Sequence, residues 1–146
     1  MSRVYLIAAD KPLPLRSLQR EQTRVMERSP RFRDPGLRGR RYDISSLSEC
    51  SVAEHTYYRQ AVDMLGYSMK PWQYELEVTG DQWALEQLTG YLRENLSPGE
   101  QAELWSLWVG DSPARLVRCR GSLVDFDMET LNQFLTAERI CLTITI

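Results

Sequence analysis

Residues 72–95 read WQYELEVT, then GD, then QWALEQLTGYLREN, and the change of period within this stretch decides the fold. Trp72, Tyr74, Leu76 and Val78 alternate with Gln73, Glu75, Glu77 and Thr79, which predicts a strand with one wet face. Gly80-Asp81 ends it, and Asp81 is suited to cap the helix that follows. Ala84, Leu85, Leu88, Tyr91 and Leu92 then recur at helical spacing up to Asn95. Gly90 inside that helix costs about 1 kcal/mol relative to Ala, which points to a close backbone approach there.

Toward the C-terminus, residues 97–100 (SPGE) match both a capping box and a simple turn, and a turn is expected because a strand is due next. Residues 103–109 (ELWSLWV) suit a short helix or a strand. The turn signal GDSP at 110–113, with a strand-like run at 115–121 behind it, favours two strands joined as a hairpin. Asp127 is placed to cap a second helix with Met128, Leu131 and Leu135 on one stripe and Phe134 beside it. In residues 139–146, Ile140, Leu142, Ile144 and Ile146 alternate with Cys141, Thr143 and Thr145, the clearest strand in the chain.

This order predicts an α+β fold: a ferredoxin-like βαββαβ antiparallel sheet over residues 72–146, with both helices on one face. Its strands would lie in the spatial order last, first, third, second. Glu75 and Glu77 would then neighbour Arg118 and Arg120 on the open face, each pair contributing about 0.2–1 kcal/mol. Ferredoxin-like RNA readers carry aromatics on their inner strands, and RLVRCRG at 115–121 has none. Many functions share such a fold, so function must be read from a site.

The first half is expected to pack on that sheet. Residues 4–9 (VYLIAA) are apolar on both faces and predict a buried extra strand. Arg16, Arg20, Arg24 and Arg28 recur every fourth position, predicting a helix with an arginine ridge. Residues 29–41 (SPRFRDPGLRGRR) predict a loop, with 29–39 the most mobile internal segment, and 42–45 a short strand. SVAE at 51–54 matches a capping box ahead of a helix carrying Ala53, Tyr57, Ala61 and Leu65, with Gly66 just past its end. Residues 1–71 thus form a basic strand, helix and loop extension with too few apolar positions for a core of its own. A single domain over 1–146 is expected.

The net charge of −2 hides an asymmetry: residues 1–71 hold 13 basic and 8 acidic side chains, residues 72–146 hold 5 and 12. Such a split suits a polyanion partner or docking of one half on the other. No apolar run approaches the ~20 residues of a membrane span. Residues 4–9 are too short for a signal-peptide core. Cys50, Cys119 and Cys141 are odd in number and widely spaced, which suggests neither a disulfide framework nor a zinc site. A cytoplasmic protein with free thiols, no membrane association, no metal and no cofactor is expected.

Few constellations carry chemistry. His55 is the sole histidine, with Cys50, Glu54 and Tyr58 near it in sequence, and nothing local supplies an activated nucleophile or an oxyanion hole. No glycine-rich phosphate loop is present. Nine arginines between residues 16 and 41 (Arg16, Arg20, Arg24, Arg28, Arg31, Arg33, Arg38, Arg40 and Arg41) make the candidate polyanion surface. Against that, arginine outnumbers lysine 16 to 2 throughout the chain, and Phe32 alone supplies an aromatic platform there. If Trp105, Leu107 and Val109 face the helices, Leu104 and Trp108 lie on the open face, where they would serve as docking anchors or, the favoured reading, be buried by a cover from the N-terminal half.

Three functions follow. A non-enzymatic binding or regulatory protein acting through protein contacts or self-association ranks first. A nucleic-acid or other polyanion binder using residues 16–41 is second. An enzyme with a site where the halves meet, near His55, Tyr57 and Tyr58, is third.

Overall fold

The computed structural model of the chain describes residues 2–27 and 41–146. It is a mixed α+β fold built on one mostly antiparallel seven-stranded sheet with three α-helices among the described residues. The strands are β1 (Ser2–Ala9), β2 (Arg16–Glu27), β3 (Arg41–Glu54), β4 (Trp72–Val78), β5 (Gln101–Val109), β6 (Val117–Ser122) and β7 (Arg139–Thr145). The helices are α1 (Arg59–Asp63), α2 (Gln82–Asn95) and α3 (Met128–Thr136).

The strand order is β2-β3-β4-β1-β5-β7-β6. The central place of β1 follows from its composition. Leu6, Ile7, Ala8 and Ala9 have no exposed surface, and a strand apolar on both faces is stable only where both faces are covered. It pairs antiparallel with β4 on one side (Leu6 opposite Glu75) and with β5 on the other (Leu6 opposite Trp105).

The ferredoxin-like order is therefore not the one found. The closing strand β7 does not lie beside β4; it runs antiparallel to β5 and parallel to β6. The expected hairpin between 103–109 and 115–121 is absent, because the β6-α3-β7 crossover lays β7 next to β6 and so between it and β5. Three strands separate β4 from β6, so Glu75 and Glu77 have no pairing with Arg118 and Arg120.

The helices on the sheet are where the sequence puts them. Asp81 Oδ1 accepts the Ala84 N–H at 2.8 Å at the start of α2, and Asp127 Oδ1 accepts the Thr130 N–H at 2.9 Å at the start of α3. Leu85, Leu88 and Leu92 of α2 and Leu131 and Phe134 of α3 bury against Ile7, Leu76, Leu104 and Leu142. A Cβ at Gly90 would meet nothing within 4 Å, so no close approach explains that glycine.

The second face is covered too. Val4, Leu6, Ala8, Trp105, Leu107, Val109 and Cys141 lie beneath Val62 and the partly buried Tyr58, Ala61, Leu65, Tyr67 and Met69. The Tyr67 ring stacks on Trp105 with centroids 5.9 Å apart. The Lys70 N–H donates to Glu103 Oε1 at 2.7 Å and the Lys70 ammonium meets Asp10 at 2.7 Å, which ties down the end of this covering segment. With both faces apolar, hydrophobicity alone could not orient β5. Trp105, Leu107 and Val109 turn to this second face, and Leu104 and Trp108 to the helix face, the reverse of the expectation.

Two expected helices are strands or shortened. Residues 16–27 form β2, because a spacing of four keeps arginines on one side of a strand as well as of a helix. An edge strand with polar residues on both faces shows no apolar alternation to give it away. SVAE lies in β3, with Ser51 opposite Glu77 and Val52 opposite Leu76. The helix behind it is confined to α1, and Gly66 beyond it takes φ +75°. The loop and mobility expected at 29–39 lie outside the described residues.

Candidate functional site

The sheet ends at β6, and its position follows from the residues around it. A 3-10 turn at Leu123–Asp125 buries Leu123 and returns the chain into α3, which crosses back to β7. β6 lies at the end of the strand order, with β7 as its only strand neighbour among the described residues, so one side of its backbone faces outward there. Residues 117–121 are exposed, Val117 at 53%. Opposite Cys141 and Thr143 respectively, Arg118 and Arg120 project from the second face, while Val117 and Cys119 project from the helix face. Arg118 leans inward over Trp105, 5.4 Å from the ring centre. Neither Arg118 nor Arg120 forms an ion pair among the described residues.

Beside β6 on the helix face lies a groove of about 250 Å³. Phe126, Leu142 and Ile144 give it an apolar floor, with Cys119, Asp125 and Thr130 along its walls. A Cβ at Gly121, within the strand, would meet nothing within 4 Å.

The residues singled out from sequence are scattered. His55, just past β3, is 3% exposed; its Nδ1 lies 3.5 Å from Glu75 Oε1 and its Nε2 has no hydrogen-bond partner among the described residues. Tyr57 is 84% exposed and Tyr58 is partly buried, their rings meeting edge-on at 4.7 Å. Leu104 has no exposed surface, being packed beneath the helices rather than on an open face. Trp108 is partly buried beside Arg3, whose guanidinium lies 5.3 Å from its ring centre.

Of the nine arginines, Arg16 docks on α2, 3.4 Å from Glu94 and 5.7 Å from the Tyr91 ring centre. Burial raises the Tyr91 hydroxyl well above the ordinary tyrosine range, and it donates to the Pro14 carbonyl at 2.7 Å. Arg20 is exposed. Arg24 and Arg41 belong to the β2–β3 ladder by backbone; Arg28, Arg31, Arg33, Arg38 and Arg40 lie outside the described residues.

Two further grooves are broad and shallow. One of about 270 Å³ is lined by Arg3, Trp108, Asp111 and Glu138. The other, about 500 Å³, runs along Leu15, Arg16, Glu49, Ser51, Glu54 and Glu77. There Glu77 is raised above its ordinary range by partial burial and by the charges of Glu49 and Glu75. His55 lines none of these three grooves. Among the described residues no group of three or more His, Cys, Asp or Glu is arranged to hold a metal ion. Burial lifts the Cys50 and Cys141 thiols to about 11, so both are protonated and poorly nucleophilic at neutral pH. No helix among the described residues is long and apolar enough to cross a membrane.

Sequence reasoning paired β6 with β5 and so gave it an inner place. The available signal was RLVRCRG itself, whose alternating arginines suit an edge that stays wet. Comparison of the chain with family models, curated proteins and solved structures returned no match.

Proposed function

We propose that the chain is a small, non-enzymatic binding protein of the cytoplasm that acts through protein contacts, and that β6 is its docking edge. The observation that carries this reading is an exposed strand with a hydrogen-bonding side unpaired among the described residues, bordered by an apolar groove. Such an edge recruits an extended segment by main-chain pairing, and the groove beside it supplies selectivity. The three thiols are unpaired, as a reducing compartment keeps them. The test is a photocrosslinking side chain placed in living cells at Val117 and, separately, at Glu86 on the exposed side of α2. Crosslinks to a discrete protein from Val117 alone support the reading. Equal labelling from both positions, or none from Val117, contradicts it.

A polyanion-binding reading has one observation in its favour. Of β3, only Cys50–Glu54 pairs with β4, so the β2–β3 ladder continues past the rest of the sheet. Residues 22–46 carry seven arginines against three acidic residues, a net of +4, leaving −6 for the remainder. Most of that excess lies in residues 28–40, between the two strands in sequence, and a basic stretch of this composition suits the phosphates of a nucleic acid. Retention on heparin or duplex DNA that falls steeply with salt would favour this reading; passage without retention at low salt counts against it.

A further inference from the structure

We propose that the segment taken up by β6 is an acidic one: an extended partner strand in which Asp or Glu alternates with apolar residues. This rests on the docking-edge reading and adds the chemistry of the occupant. A strand added to β6 places alternate side chains on opposite faces of the sheet. On the second face it meets Arg118 and Arg120, two positions apart and without ion-pair partners among the described residues. Carboxylates at every second position of the partner satisfy both. On the helix face the intervening side chains pass Val117 and Cys119 and reach the groove floored by Phe126, Leu142 and Ile144, which takes apolar groups.

The charge of the surrounding chain sharpens the preference. Residues 72–146 hold only five basic side chains, three of them Arg115, Arg118 and Arg120, so this edge is a basic stripe on an otherwise acidic half. A second copy of the chain is the poorer occupant. Antiparallel pairing of β6 with its own symmetry mate sets arginine against arginine on the same face, and like charges directly opposed destabilise a strand pair.

The test uses the full chain and short synthetic peptides: one alternating Glu with Val, one alternating Lys with Val, and one of the first composition with its glutamates grouped at one end. Amide chemical shifts locate binding, and fluorescence anisotropy measures it. The alternating Glu/Val peptide is expected to shift the amides of Val117–Ser122. Arg120→Glu is expected to weaken it about fivefold. Arg120→Gln, which removes the charge without reversing it, is expected to fall between the two. Neither variant should change Tm, since Arg120 is exposed and has no ion-pair partner among the described residues. If the Lys/Val peptide occupies β6 equally well, the edge reading stands and the acidic preference is overturned. Equal binding by the grouped peptide overturns strand addition in favour of diffuse charge attraction. No shift at β6 with any peptide overturns both. A dimer that protects the β6 amides before any peptide is added makes the second copy the occupant and overturns the proposal.

Discussion

Arg3, in the first strand of the sheet, donates from Nη1 to the carbonyl oxygen of Leu135, in the last turn of the last helix, at 2.6 Å. The same nitrogen reaches the Ala137 carbonyl at 2.9 Å, and the Tyr5 hydroxyl donates to Leu135 at 2.8 Å. Orphaned carbonyls at a helix C-terminus are thus satisfied by a cation from a strand 132 positions away.

Arg3→Met keeps much of the aliphatic stem and removes the donors. It is expected to lower the unfolding free energy by about 1.5–3 kcal/mol, the range for hydrogen bonds to charged groups. Tyr5→Phe should cost about 1 kcal/mol. Urea unfolding followed by tryptophan fluorescence measures both, and wild-type stability of Arg3→Met would show that the contact contributes nothing.

The place of β1 makes a stronger claim. Leu6 is wholly buried between β4 and β5 on the second face, so Leu6→Ala is expected to cost about 2–5 kcal/mol. A fragment of residues 70–146 lacks the strand that joins β4 to β5 and is expected to be unfolded or aggregated. A soluble, monomeric fragment with full-length stability would contradict this arrangement.

Gly90 gives a prediction of the opposite sign. It sits inside α2 without a positive φ, and an added Cβ has open space around it. Gly90→Ala is expected to raise stability by about 0.5–1 kcal/mol through helix propensity and a stiffer unfolded chain. A loss of stability would mean that the glycine serves a contact or motion absent from this structure.

The cysteines titrate in a defined direction. Cys50 and Cys141 have folded values near 11 against an ordinary 9.0, so the folded state holds their protons more tightly than the unfolded state does. Their contribution to stability is full below pH 9 and is lost as pH rises toward 11. Cys50→Ala/Cys141→Ala should show a shallower fall across that window, judged against its own stability at pH 8. In the native chain at pH 8 a thiol reagent is expected to modify the exposed Cys119 alone. Equal labelling of all three would contradict the burial.

How much of this was legible in the sequence depends on which residues one asks about. The helices α2 and α3 and their caps at Asp81 and Asp127 were readable because period, cap and breaker agree locally. The strands β1, β4, β5 and β7 were readable as strands, yet their order was not. Register and neighbour choice depend on long-range packing, and a sheet covered on both faces gives no polar side to orient ELWSLWV. The arginine spacing in β2 fits periods of both 3.6 and 2, so it misled. The exposed edge at β6 was the least visible feature, since β6 is at the end of the sheet only because β7 intervenes between it and β5.

The central claim is that β6 offers a free side to an acidic partner strand, and residue-resolved amide hydrogen exchange tests it most directly. In the free chain the outward-facing amides of Val117–Ser122 are predicted to exchange rapidly while those of β1 are the slowest, and saturating alternating Glu/Val peptide should slow the β6 amides selectively. Rapid exchange in β6 that the peptide leaves unchanged, or protection already complete in the free monomer, would contradict the account.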